Sequence, residues 1–362
     1  MGAGLARSSM LIKRSPQTCD KIIAVRNQLT NSSREPNPLN PQDFLKPVER
    51  DLALVEQELH RQSSSNIQLI DRIGKYIQDS GGKRIRPAIL LLSARMCGSE
   101  DQACYRLGAV MEMVHSATLV HDDIIDDAKV RRGRASVNAH WGNEITVLMG
   151  DWLYMTSFYL ALNERNFKIL DILADVTRKM VEGELLQLSM GRNPDITEEQ
   201  HLEISMRKTA FLFSACAQIG GVLGAVSREQ EEALRLYGLN LGMAFQLVDD
   251  VLDITSNESR LGKPVCSDLK EGKLTLPLIY LMRDGKPEHR ELIRASIRAD
   301  GFGGASREKI LDLVQEYGTA DRVLEKASEY AGLARCCLES FPASEAHAAL
   351  VAIAEYIVER DR

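Results

Sequence analysis

Residues 110–126 read VMEMVHSATLVHDDIID, and residues 239–253 read LNLGMAFQLVDDVLD. Each is an apolar, proline-free stretch, and each closes on the pattern Asp-Asp-x-x-Asp. At helical pitch Asp122 and Asp126 are neighbours one turn apart, as are Asp249 and Asp253. The two stretches therefore read as long helices that carry paired carboxylates toward their C-terminal ends. Acids placed there oppose the helix macrodipole and repel one another. One such helix end could be a solvated acidic terminus. Two of them, each behind an apolar helix, point to a bound cation.

Working outward, the chain keeps helical periodicity. Leu52, Val55 and Leu59 recur at helical spacing, as do Ile67, Ile70, Ile73 and Ile77. Capping boxes are read at Ser99-x-x-Gln102, Thr197-x-x-Gln200 and Ser227-x-x-Gln230. After Pro47 only Pro87, Pro194, Pro264, Pro277, Pro287 and Pro342 occur, which suits a helical body. Aromatic residues make up 5%, and no Asn-Gly or Asp-Gly hairpin turn separates alternating runs. Asp284-Gly285 reads as a helix exit. The expected fold is all-α, with about ten to thirteen helices in one bundle-like domain.

The 362 residues carry 45 Lys+Arg against 51 Asp+Glu, a net charge of −6. An acidic chain is a poor non-specific ligand for nucleic acid, so no nucleic-acid partner is expected. No run of about 18 apolar residues is present, so no transmembrane segment is expected. Seven cysteines without a Cys-x-x-Cys pair argue against a disulfide framework or zinc site and fit a reducing, cytoplasmic setting. Residues 1–40 hold six Lys/Arg and two Asp/Glu, or +4, with no secretory pattern. They read as a disordered extension or an over-early start, although Ser- and Arg-rich composition overlaps with transit peptides. The folded domain is expected over residues 41–362.

The cation that suits these carboxylates is Mg²⁺, which takes one or two carboxylates plus substrate phosphates. Neither motif fits an EF-hand loop. Lys83-Arg84-Ile85-Arg86-Pro87 follows Gly81-Gly82 but lacks the features of a P-loop. Arg131-Arg132 comes soon after the first motif, and Lys208-Thr209, Lys263 and Lys273 lie near the later helices. Two basic clusters around two acidic ones imply two anionic ligands, one held through metal and one directly. His115, two turns before Asp122, becomes a donor candidate beside a diphosphate.

Taken together these residues resemble the polyprenyl synthetase family of trans-isoprenyl diphosphate synthases. The resemblance runs from about Phe44 to the C-terminus. It rests on Gly82-Lys83-x-x-Arg86-Pro87, on Glu112-Met113-x-His115-x-x-x-Leu119-x-His121-Asp122-Asp123-x-x-Asp126, and on Arg131-Arg132-Gly133. It continues through Gly150-Asp151, Lys208-Thr209, Phe245-Gln246-x-x-Asp249-Asp250-x-x-Asp253, Gly262-Lys263-Pro264, Asp268-Leu269 and Gly272-Lys273-x-Thr275-Leu276-Pro277. The resemblance implies the isoprenoid synthase fold, a single helical domain around a central cavity, and a homodimer. It implies a Mg²⁺-dependent prenyltransferase acting on isopentenyl diphosphate and an allylic primer (geranyl, farnesyl or geranylgeranyl diphosphate).

Carried over by position, Asp122 and Asp126 are the implied Mg²⁺ ligands of the first motif, with Asp123 supporting. Asp249 is the implied ligand of the second, with Asp250 nearby. These acids and Lys208 form the implied catalytic set. Arg131, Lys208, Thr209, Gln246 and Lys263 are implied contacts to the allylic diphosphate. Lys83, Arg86, His115 and Arg132 are implied at the isopentenyl diphosphate site. Lys273 is placed less securely.

Ala117 and Thr118, a turn before the first motif, are small, so the growing chain should pass them. Met155, Phe158 and Leu162 are candidates for the tunnel floor. The expected product is long, about C35–C50, of the type used in quinone side chains, and a peripheral membrane contact could serve its release. Geranylgeranyl diphosphate is the shorter alternative. A terpene cyclase would not need Lys83, Arg86 and His115, and a non-catalytic partner subunit would tend to lose motif acids that are all present here.

Overall fold

The structure is a computed structural model that describes residues 41–256, 266–298 and 307–359. The extension at residues 1–40 and Lys263 lie outside the described residues.

Helices follow one another as α1 (Pro41–Leu45), α2 (Glu49–Ser63), α3 (Gln68–Asp79), α4 (Ile85–Met96) and α5 (Gln102–Ile125). A two-residue hairpin, β1 (Val130–Arg131) with β2 (Arg134–Ala135), then leads into α6 (Val137–Trp141), α7 (Asn143–Asn163) and α8 (Phe167–Ser189). Next come α9 (Glu198–Ser205), a wide π turn at Met206–Ala210, α10 (Phe211–Leu223) and α11 (Arg228–Thr255). The C-terminal part holds α12 (Ser267–Lys270), α13 (Leu276–Asp284), α14 (Pro287–Arg298), α15 (Arg307–Glu316), α16 (Thr319–Cys337) and α17 (Glu345–Glu359). With the unbroken run 198–223 counted once, thirteen described helices have nine residues or more, as the periodicity predicts.

The ends follow local chemistry. Both predicted boxes at Thr197–Gln200 and Ser227–Gln230 form, each side chain capping the other residue's backbone N–H. The third does not. Asp101 caps α5 instead, accepting from Ala103 N at 2.7 Å, while Ser99 turns to the Cys104 thiol. A carboxylate two residues nearer the helix is the stronger acceptor there. Ile67 also falls outside its predicted helix, as the residue before α3, and is 56% exposed. Pro277 and Pro287 sit in first turns, where their missing N–H has no helical partner to lose.

Helices α4, α5 and α10 are apolar on most sides and lie at the centre of the larger core. A second, smaller core is built from α13 to α16 and the C-terminal half of α11. Helix α11 belongs to both: Leu234, Tyr237, Leu241 and Ala244 to the first, Leu247, Val248, Val251 and Ile254 to the second. Glycines one turn apart let α11 lie close on its neighbour. A Cβ on Gly238 would come 2.4 Å from the Phe213 carbonyl, and one on Gly242 would come 2.5 Å from Ala210 Cα.

Helix α7 is long and apolar enough by composition to cross a membrane, which the count of apolar runs did not anticipate. Here it packs on α5 through Met149, Leu153, Ser157 and Leu160. Its other side leaves Leu148, Met155, Tyr159 and Leu162 exposed.

Candidate active site

Four structural devices place the site. The first is the turn before α4. Gly81 and Arg84 both have left-handed backbone (φ 66° and 49°), a strained choice for arginine. Arg84 is held there by Glu56 on α2 and by Glu112 on α5, the latter at 2.7 Å. Burial works against its charge, yet these two acids keep its guanidinium above the ordinary arginine range. The turn leaves Lys83 at the surface and puts Arg86 in the first turn of α4. Lys83 Nζ donates to Tyr356 OH of α17 at 3.3 Å.

The second is the β1–β2 turn, where Arg132 and Gly133 take φ of 51° and 75°. Two left-handed residues in succession are what a tight two-residue hairpin demands. The Arg132 guanidinium donates to the Gly81 carbonyl, joining the two basic segments.

The third is the π turn. Phe211 N–H reaches back to the Met206 carbonyl, one residue further than in an α-helix. Helix α8 approaches closely because residue 183 is glycine; a Cβ there would lie 2.6 Å from Arg207 Cβ. Lys208 then reaches Glu184 and Gln187 of α8, both at 2.5 Å. Thr209 donates to Gln246 Oε1 of α11 at 2.7 Å.

The fourth is Gly150 on α7. A Cβ there would fall 2.1 Å from His121 Nε2, so only glycine leaves room for that ring, which bonds the Val147 carbonyl at 3.1 Å.

These elements surround a cavity of about 1120 Å³. Asp122, Asp126, Asp249 and Asp250 line it, together with Lys83, Arg86, His115, Arg131 and Arg132. Lys208, Thr209 and Gln246 line it too. Asp123 does not. It is 2% exposed, and its Oδ1 accepts from Arg131 Nε at 2.5 Å. It therefore anchors Arg131 and faces away from the cavity.

Burial raises the Asp122 carboxyl to about 6, with Glu184 and Asp126 adding repulsion and Lys208 relieving it. Burial, then Arg86, Arg132 and Arg131, press His115 well below the usual histidine range, so its ring is neutral. Burial also lowers Arg86, partly offset by Glu112, Cys216 and Asp249. Its guanidinium lies 4.8 Å from the centre of the Phe213 ring.

No three His, Cys, Asp or Glu side chains among the described residues are gathered closely enough to hold a metal by themselves. The acids that face the cavity are hard oxygen donors, the set from which Mg²⁺ takes one or two ligands while phosphate and water supply the rest. The donor set thus fits a divalent cation that arrives with a phosphate ligand.

A family profile described as Polyprenyl synthetase matches residues 67–315. The chain belongs to the polyprenyl synthetase family. It is 40% identical over 313 residues to the octaprenyl diphosphate synthase of Escherichia coli, covering 86% of this chain and 97% of that one. It is 39% identical to the all-trans-nonaprenyl-diphosphate synthase (geranyl-diphosphate specific) of Rhodobacter capsulatus, over 88% and 98% of the two chains. The structure resembles a polyprenyl synthase from Caulobacter crescentus complexed with calcium and isoprenyl diphosphate. The TM-score is 0.87 at 34% identity, over 90% of this chain and all of the other. The fold is the isoprenoid synthase fold, and the protein is a prenyltransferase of the trans-prenyl diphosphate synthase type.

Several residues of this polyprenyl synthetase family member take places that sequence reading did not give them. Lys273 reaches Asp126 Oδ1 at 2.8 Å and Glu271 at 2.7 Å. Burial opposes its charge, but Glu271 and Asp126 hold it above the usual lysine range. Its motif was the available signal. His201 pairs with Asp250 at 2.6 Å, 49 residues away, and nothing in its local sequence announces this. The proposed floor is overturned at two positions: Met155 and Leu162 are 64% and 46% exposed on the outer side of α7. Phe158 packs against the main core. Thr118 lines the cavity, whereas Ala117 is sealed in the core at 0% exposure.

Proposed function

We propose that the protein is a long-chain trans-polyprenyl diphosphate synthase, extending an allylic diphosphate with isopentenyl diphosphate to about C35–C50, a range that the small Thr118 one turn below the acids admits. The observation that carries the reading is that both acidic motifs and both basic clusters line one cavity. The octaprenyl and nonaprenyl relatives support a long product.

In this reading Asp122, Asp126 and Asp249 hold Mg²⁺. The metal, when bound, supplies positive charge for the diphosphate that departs. Lys208, Arg131 and Gln246 grip that diphosphate and stabilise the charge it gains as its carbon–oxygen bond breaks. Arg86, Arg132, Lys83 and neutral His115 hold isopentenyl diphosphate with its double bond in attack geometry. Among the described residues His115 is pressed well below the usual histidine range and so takes a proton poorly, and the departed diphosphate receives the proton lost after condensation. Leu119, Ile204, Leu212 and Phe245 provide apolar lining that keeps water from the cation.

A homodimer belongs to the same reading. Leu148, Met155 and Tyr159 on α7, with Leu185 and Leu188 on α8, form an apolar face that a second copy would cover. The test is to incubate the purified chain alone with labelled isopentenyl diphosphate, farnesyl diphosphate and Mg²⁺. A ladder ending near the stated length is expected. Product stopping at C15 or C20 with isopentenyl diphosphate in excess, or full turnover in excess chelator, would refute it.

A further inference from the structure

His201 lies at the cavity wall yet is only 8% exposed, and Asp250 is 1% exposed. The ring Nε2 stands 2.6 Å from Asp250 Oδ2. A carboxylate oxygen at that distance accepts, so Nε2 is the donor. The other oxygen, Oδ1, receives Gln246 Nε2–H at 2.9 Å. The Gln246 amide oxygen in turn receives the Thr209 hydroxyl at 2.7 Å. The ring itself is steadied by Ser205, which donates to the His201 carbonyl at 2.9 Å and stands 3.5 Å from Nε2. One chain of hydrogen bonds thus links α9, the π turn and α11.

The direction of this chain matters. A glutamine amide has a donor end and an acceptor end, and either could face an anion. Asp250 can only accept, so it claims the donor end, and Thr209 claims the acceptor end. The amide keeps one further N–H to give, on the side of the cavity that it lines. The carboxylate performs this sorting only while it is itself held, and His201 is its second donor.

We propose that His201 is a positioning residue of this synthase: by fixing Asp250 it turns the donor edge of Gln246 toward the allylic diphosphate. Asp250 is then a hub of the second motif, while Asp249 would be left to hold the metal in the reading above. The inference rests on the assignment of the allylic site given above.

The test compares His201→Phe, which keeps a ring and removes the donor, with His201→Gln, which keeps a nitrogen donor of similar reach. His201→Phe should raise the KM for farnesyl diphosphate about tenfold, the loss of one charge-assisted hydrogen bond, and leave that for isopentenyl diphosphate within about twofold. His201→Gln should recover most of the loss. Combined with Gln246→Leu, His201→Phe should add little, because both act through one network. If His201→Phe does not fold, His201→Asn, too short to reach Asp250, replaces it. Equal rises in both KM values, no recovery in His201→Gln, or multiplying effects in the double variant would overturn the proposal. Lys208→Ala runs in parallel. If it raises the allylic KM and His201→Phe does not, only the His201 inference falls. If neither does, the site assignment falls with it.

Discussion

Lys273 places its ammonium 2.8 Å from Oδ1 of Asp126, a residue 147 positions earlier in the chain. The pair bridges the first acidic motif and the loop before α13, with Glu271 as second partner. A lysine there neutralises an acid proposed above as a metal ligand. Lys273→Met should lower the stability of the metal-free protein by about 1–2 kcal/mol, since both partners are only partly exposed. It should also strengthen Mg²⁺ binding in the absence of diphosphate. Calorimetric titration checks this; an unchanged Mg²⁺ affinity would mean that lysine and metal do not compete.

Asp122 gives a pH signature. Its carboxyl is raised from 3.8 to about 6 in the fold, chiefly by burial. The folded state therefore holds this proton more tightly than the unfolded chain does. The stability it contributes is complete below about 3.8 and is lost as pH rises through about 6. Asp122→Asn should accordingly melt higher than wild type above pH 6 without metal, with the gap opening between those values. Turnover should fall by orders of magnitude in the same variant. Parallel melting curves for the two proteins at every pH would contradict the assignment.

The two anion sites should separate kinetically. Arg86→Ala and His115→Ala should raise the KM for isopentenyl diphosphate, by about 10- to 100-fold for the charged group. Lys208→Ala should act on the allylic primer. Steady-state kinetics with each substrate varied in turn decides the matter, and identical effects of all three on both substrates would show the sites to be misassigned.

Gly150 tests the packing around the first motif. Gly150→Ala should destabilise by about 1–3 kcal/mol, because its Cβ meets the His121 ring. Removing that ring should relieve the clash, so Gly150→Ala should be nearly neutral in a His121→Ala background. Thermal melts of the four proteins give the coupling directly. Additive losses would place the strain elsewhere.

Product length should respond at Thr118 and not at Ala117. Thr118 lines the cavity, so Thr118→Phe should shorten the product with the fold intact. Ala117 is fully buried, so Ala117→Phe should chiefly destabilise by overpacking. Chain-length analysis beside melting temperatures separates the two outcomes.

The helical architecture was legible because long helices with an apolar face write their period into the sequence, as Val55 and Leu59 do. The acidic motifs and basic segments that meet at the cavity were legible because their charges are dense and local in the chain. What escaped was set by distance in the chain. The hold of Lys273 on Asp126 and of His201 on Asp250 exists only once separate helices meet. The Ser99 box failed because Asp101, two residues on, is a better cap. The Arg132–Gly133 hairpin was missed because arginine is a poor signal for a left-handed turn. Met155 and Leu162 share a helix face, as their spacing says, but spacing does not tell which way the face looks.

Helix α11 runs through both hydrophobic cores and carries the second acidic motif where it enters the smaller one. Asp249 and Asp250 sit on this shared rod, so a change in its register reaches the second motif. A lesion among the helices of the smaller core that moves this rod would carry the second acidic motif with it. Heat that loosens the smaller core should therefore lower activity in step with its melting, which turnover and melting curves recorded together would show.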